Sequence, residues 1–208
     1  MPVKQTFEHL SEEKRSVIIN ACIEVFGEHG YDRSTTDSII RKAGISKGSL
    51  YEYTDSKREL YLFILNHVYT RLYSFIQDRL KTEYPYGISD ILERVRAVSC
   101  IAADFYIAYP SYIRVIEKTG KVNDSALAAR AEDIFIVHYS EIFGEFDSSR
   151  LRTDRKKLLD LLVMFLIETR RTFLDRLDNQ TEVSSIKNDY LRTWEFYLDI
   201  LRNGIYAG

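Results

Sequence analysis

The chain has 208 residues, 29 basic and 31 acidic side chains, and a formal net charge of −2. That length holds one sizeable core or two small ones, and the balance of charge does not by itself mark a nucleic-acid binder. Two distant cysteines, Cys22 and Cys100, offer neither a disulfide framework nor a zinc site, and the most apolar run, 158–167, is too short for a bilayer span and contains Asp160.

Only three prolines and nine glycines punctuate long periodic runs, so an all-α fold is expected. The opening MPVKQTFEHL lacks the apolar core of a signal peptide, which points to a cytoplasmic protein. A first helix is predicted from about Ser11 to Gly30, with Glu12 and Glu13 favouring its positive N-terminal end. Its apolar stripe is Val17, Ile18, Ala21, Cys22, Val25 and Phe26, which makes Cys22 a buried core thiol.

Residues 34–59 read as a short helix, a glycine turn, a second short helix and the start of a third. Ile39, Ile40 and Ala43 form the apolar side of the first. Gly44 stands where a left-handed cap suits glycine, and Ser46 is a good N-cap for the second. Leu50 and Tyr53 point inward at helical spacing, leaving Lys47, Gly48, Ser49 and Tyr51 near the outward N-terminal face. This is the order of a DNA-binding helix-turn-helix. Residues 33–58 carry six basic and three acidic side chains, a local charge of +3. The preceding helix is acidic and offsets part of that field, so weak binding by one subunit and tighter binding by a dimer are expected.

A long helix begins at Ser56, which with Glu59 has capping-box spacing. Its stripe of Leu60, Ile64, Val68, Leu72, Phe75 and Ile76 runs toward Leu80. Segment 82–87 is a loop. Further helices are predicted over 88–108, from Pro110 to about Lys118, from about 126 to Phe146, over 154–178 and over 183–204. In the last of these Leu191, Trp194, Leu198 and Leu201 recur at spacings of three and four, facing Leu162, Leu166 and Phe173 of the helix before. Such a seam serves an intramolecular core and a subunit interface equally well.

The run Thr35-Thr36, the segment AGISKGSLY from Ala43 to Tyr51, and Ser56-Lys57 together resemble the TetR family of bacterial transcriptional regulators. Spacing and order match over about residues 10–65, and the remainder is similar only in length and helical character. Two positions depart from the family pattern. Ile40 stands where a small residue is common, and Thr54 replaces the usual aromatic, for which Tyr53 is a candidate replacement. Glu52 either accepts from a cytosine amino group or faces solvent.

The resemblance implies a three-helix helix-turn-helix DNA-binding domain over residues 1–57 and a helical ligand-binding and dimerisation domain over 58–208. It implies DNA contacts from Thr36, Lys47, Gly48, Ser49, Tyr51 and Lys57, the last as a phosphate clamp at a helix start. Arg33 and Arg41 are weaker candidates. It tips the seam of Leu162, Leu166, Phe173, Leu191, Trp194, Leu198 and Leu201 toward a homodimer on a palindromic operator. The expected activity is repression, relieved by a small apolar or amphipathic effector that moves the long fourth helix, with no cofactor, metal or membrane involved. Candidate effector contacts are Asp104, Tyr109, Glu117, His138, Phe165 and Glu168; His138 is as readily a hydrogen-bonded core residue. No metal-ligand, phosphate-loop or nucleophile motif speaks for an enzyme. The alternative is a DNA-bound adaptor that recruits a protein and senses no small molecule.

Overall fold

The computed structural model describes residues 3–143, 146–149, 151–179 and 182–205. The fold is all-α: α1 (Gln5–Glu8), α2 (Glu12–Arg33), α3 (Thr36–Ala43), α4 (Lys47–Tyr53), α5 (Lys57–Glu83), α6 (Ile91–Ala108), α7 (Pro110–Thr119), α8 (Ser125–Phe143), α9 (Arg155–Asn179) and α10 (Val183–Ile205). Helix ends follow local chemistry. Ser11 caps α2, Ser56 accepts from the Glu59 amide at 3.1 Å to start α5, and Pro110 occupies the first turn of α7. Gly30, at φ 71°, interrupts α2 at the residue where the sequence places its end, and helical hydrogen bonding resumes to Arg33. The helix missed by the sequence is α1.

Two compact units emerge: one takes the chain up to Arg71 together with Tyr109–His138, the other Leu72–Ala108 together with the chain from Tyr139. Compactness therefore cuts the chain differently from a functional division after residue 57.

In the first unit α2 buries Ile18, Ala21, Cys22, Val25 and Phe26, whereas Val17, placed on the same stripe, is 49% exposed. Burial pushes the Cys22 thiol up to about 12. Helix α7 packs on α2 so closely that a Cβ at Gly27 would lie 2.9 Å from the Ser111 carbonyl oxygen. Tyr61 of α5 is wholly buried; its ring meets Phe26 and Tyr31 at 5.0 and 5.1 Å, and its hydroxyl lies 2.8 Å from the Thr119 hydroxyl. Asp32 accepts from the Asn123 backbone and side chain at 3.1 and 2.9 Å, Arg58 pairs with Asp124 at 3.3 Å, and Arg130 pairs with Glu59 at 2.7 Å.

The second unit has a core of Leu92, Val95, Val98 and Phe105 from α6, Leu158, Leu162 and Phe173 from α9, and Ile186, Tyr190, Trp194 and Leu198 from α10. Helix α10 packs on both α6 and α9. Of the residues expected at a subunit seam, Leu162, Leu166, Phe173, Trp194, Leu198 and Leu201 are buried within this single chain, and Leu191 is half-buried. The strongest stripe is thus satisfied by α6 and by the α9–α10 contact, because a helix buries its most apolar face against the nearest partner. The large apolar side chains that α9 and α10 leave outside include Met164 (65% exposed), Ile167 (45%), Phe196 (62%) and Ile200 (55%).

Candidate DNA-binding surface

Helices α3 and α4 are set by caps at nearly every end. Thr35 accepts from the Ser38 amide at 3.1 Å while the Ser38 hydroxyl accepts from the Thr35 amide at 3.3 Å, a reciprocal capping box. Gly44 adopts φ 65°, ψ 30°, the left-handed conformation that ends α3 without a Cβ penalty. Ser46 then opens α4 by accepting from the Ser49 amide at 3.1 Å. Ile39 and Leu50, both fully buried, anchor the two helices from their inner sides.

The outer side of α4 carries Lys47 and Gly48, both exposed, half-buried Ser49, and Tyr51 at 44% exposure. The Lys47 ammonium lies 3.4 Å from Asp37 across the turn, a pair with both partners mostly in solvent and therefore weak. The Ser49 hydroxyl is 2.8 Å from that of Ser46, so it belongs to the cap as well as to the surface. A Cβ at Gly48 would meet nothing nearer than the Ser46 hydroxyl at 3.8 Å, so the protein's own packing does not demand glycine there. Thr36 is the first residue of α3 and half-buried; Glu52, Arg33 and Arg41 are exposed.

Lys57 does not present its charge outward. Its ammonium donates to the carbonyls of Tyr31 at 2.9 Å and Ser34 at 3.0 Å and lies 4.1 Å from the Tyr31 ring centroid. Burial lowers its pKa, with Asp32 opposing. In this arrangement Lys57 ties the end of α2 to the start of α5, which does not match the phosphate clamp the resemblance implies. Spacing along the chain could not reveal this, because the acceptors are 23 and 26 residues away.

The surface also depends on residues the sequence did not single out. Lys4 and Thr6 bond the last turn of α4, and Phe7, 1% exposed, stands edge-on to Tyr53 at 5.8 Å and Phe63 at 5.4 Å. Phe7 thus supplies a ring in the region where Thr54 lacks one; Thr54 is itself buried and donates to the Ser56 carbonyl at 3.1 Å.

The six candidate effector residues divide between the two compact units. Tyr109, Glu117 and His138 belong to the first compact unit, and Asp104, Phe165 and Glu168 to the second. Asp104 pairs with Lys187 and with Arg79 at 3.5 Å. Glu168 is exposed and bonds Arg171 at 2.7 Å, which holds its carboxyl below the usual range. His138 is half-buried, shares a hydrogen bond with Asn66 at 3.2 Å and stacks on Tyr69. Phe165 stacks on Tyr197 at 4.5 Å, and Tyr109 meets Tyr112 at 5.7 Å. Within the second unit a cleft of about 520 Å³ opens instead between the end of α5, the following loop, α6 and the end of α8, lined by Leu80, Lys81, Tyr84, Ile88, Arg94 and Ile142 among others. No described helix is long and apolar enough to cross a membrane, and no cluster of three metal-ligating side chains occurs among the described residues.

Residues 18–63 match the family described as bacterial regulatory proteins, tetR family. The HTH-type transcriptional activator FasR of Mycolicibacterium smegmatis is 31% identical over 121 residues, 58% of this chain and 53% of that protein, so the chain spans about half of that relative's length. The negative regulator of the icaADBC biofilm operon, IcaR, of Staphylococcus epidermidis is 24% identical over 149 residues, 72% of this chain and 78% of its own. A TetR family transcriptional regulator from Chloroflexus aurantiacus shares the fold across the whole of both chains, with a TM-score of 0.68 at 20% identity. The matched segment contains the capped α3–α4 pair, so residues 18–63 are similar to the tetR-family helix-turn-helix, and the chain as a whole shares the fold of TetR-family regulators.

Proposed function

We propose that the chain is a repressor that binds a palindromic operator as a homodimer in the cytoplasm and is released by a small apolar or amphipathic effector. The observation that carries the DNA-reading part is the outer side of α4. Lys47 and Tyr51 stand exposed beside Gly48, whose missing side chain the protein's own packing does not require. An external surface that must approach the backbone is a sufficient reason for glycine there, and the major groove is such a surface. Residues 1–57 act as the reader and 58–208 as the controlling region, with Thr36 and Ser49 as further phosphate contacts. Lys57 acts by fixing the corner behind them.

Dimer pairing is assigned to the exposed Met164, Ile167, Phe196 and Ile200, since the stripe first considered is occupied within the chain. The sign of regulation follows IcaR, a negative regulator aligned over more of the chain than the activator FasR. The effector is assigned to the cleft of about 520 Å³, a size suited to a drug-sized molecule. Gln77, Leu80, Lys81 and Tyr84 put α5 and the loop after it in its wall, and α5 begins four residues after α4 ends. An effector that binds one position of α5 better than another shifts the population away from operator binding.

The test is fluorescence anisotropy on the intergenic DNA upstream of the chain's own gene, across salt, with wild type and a Lys47→Ala, Tyr51→Ala variant. Tight, salt-sensitive binding lost in the variant supports the reading. Binding unaffected by the variant would show that α4 is not the reading helix.

One observation favours the adaptor reading. The interior gap among Val95, Ser99, Tyr139, Phe143, Leu162, Leu166 and Trp194 is about 10 Å³, room for no more than a water. The packing of that one interior spot by its own side chains suits a protein partner better than a ligand enclosed there. Operator affinity that is constant for every small molecule shown to bind the cleft would decide for that reading.

A further inference from the structure

The recognition helix α4 is only seven residues long, and Leu50 is its one buried residue. A helix of two turns is marginal by itself in water, and its last carbonyls have no partner within the helix. Here three consecutive carbonyls are taken by the N-terminal segment. The Lys4 ammonium donates to Tyr51 at 2.9 Å, the Thr6 hydroxyl donates to Glu52, and the Lys4 amide donates to Tyr53 at 2.9 Å. Lys4 also pairs with Asp55 at 2.7 Å, just beyond the helix. A cation at a helix C-terminus is favoured by the helix dipole as well. Phe7, next in line, is buried against Tyr53 and Phe63 and fixes the segment to α4 and α5. The far end of α1 is held in turn, since Arg15 donates to the Glu8 carbonyl at 3.2 Å.

We propose that Lys4, Thr6 and Phe7 are positioning residues for operator recognition: they clamp the C-terminal end of α4 and so set the orientation of Lys47 and Tyr51 without touching DNA. This rests on the reading of α4 as the DNA-contacting helix. Recognition of base edges requires side chains held to within roughly half an ångström. Ser46 secures only the N-terminal end of α4, and Leu50 alone cannot fix the helix against rotation. The N-terminal segment supplies the second point of support, from residues more than 40 positions away in sequence.

The experiment uses the full chain with Lys4→Met, Thr6→Val, and with Lys4→Arg as the conservative variant. The DNA probe is the duplex that wild type enriches from a random-sequence pool. Loss of two hydrogen bonds at the helix end is expected to lower affinity by roughly tenfold. The slope of log affinity against log salt stays that of wild type, because no phosphate contact is lost. Amide hydrogen exchange of residues 50–54 in the unbound protein speeds up by a similar factor while α10 keeps its protection, and Lys4→Arg restores most of both. Unchanged affinity would overturn the proposal. So would a slope reduced by about one, which would make Lys4 a phosphate contact, or exchange accelerated equally in α10, which would make the effect global. If wild type enriches no duplex, the DNA-reading assignment of α4 falls and this role falls with it; local loss of protection in the variant would then leave the clamp as a structural feature only.

Discussion

Helices α4 and α10 are held in place by different physics. Helix α10 runs for 23 residues and buries Ile186, Tyr190, Trp194, Leu198 and Leu201 along one side, so its position follows from apolar area removed from water. Helix α4 has seven residues, one buried side chain, a serine cap at one end and a three-carbonyl clamp at the other. Changes in α10 therefore act on the stability of its unit. Changes around α4 act on the placement of a surface, and assays of folding and of DNA binding separate the two.

The largest expected effect is in α10. Trp194→Ala empties a site that is 2% exposed and should destabilise the protein by about 3–5 kcal/mol in urea unfolding. A cost below about 1 kcal/mol would mean that the unit relaxes to fill the space and that its core is not rigid. Next is Gly27→Ala, which sets a methyl group 2.9 Å from the Ser111 carbonyl. Forcing α2 and α7 apart should cost roughly 1–3 kcal/mol. A neutral result would show that the α2–α7 contact gives way easily and so does not support the reading helices.

Ser46→Ala removes the N-cap of α4 and should cost about 1 kcal/mol. Operator affinity should fall while the thermal midpoint of the second unit stays in place. An effect on that midpoint would erase the distinction between local and global support.

The smallest effect is the pH dependence carried by His67, which is packed against Phe63 and Tyr112 at 6.5 and 6.2 Å. Burial, with help from the Arg71 charge, lowers its pKa from the ordinary 6.5. Below 6.5 the unfolded chain takes up a proton at this residue that the folded chain refuses, so its contribution to stability declines as pH falls through 6.5 toward the folded value. His67→Gln should flatten that part of the stability–pH curve between pH 7 and 5. An unchanged curve would assign the dependence to other groups.

How much of this was legible in the sequence follows the range of the interactions. Thr35, Gly44, Ser46 and Ser56 announce helix ends because each acts on a backbone group three or four residues away. Periodicity locates the six helices after the helix-turn-helix to within a few residues at each end. It also found the stripe of Leu162, Phe173, Trp194 and Leu198, but could not say whether the facing surface belonged to the same chain. Residue type alone points to the candidate effector residues, and type does not reveal that Asp104 is paired with Lys187 or His138 with Asn66.

The sequence by itself determined the helical class, the helix-turn-helix and the outward side of α4, because caps, turns and amphipathic spacing are local properties. Only the tertiary structure decided what Lys57, at the end of that motif, and Lys4, far ahead of it in the chain, do. Lys57 turns inward to the carbonyls of Tyr31 and Ser34, and Lys4 reaches the carbonyl of Tyr51. The acceptors lie 23 to 47 residues away along the chain, and unpaired backbone carbonyls at helix ends draw cations wherever the fold brings them together.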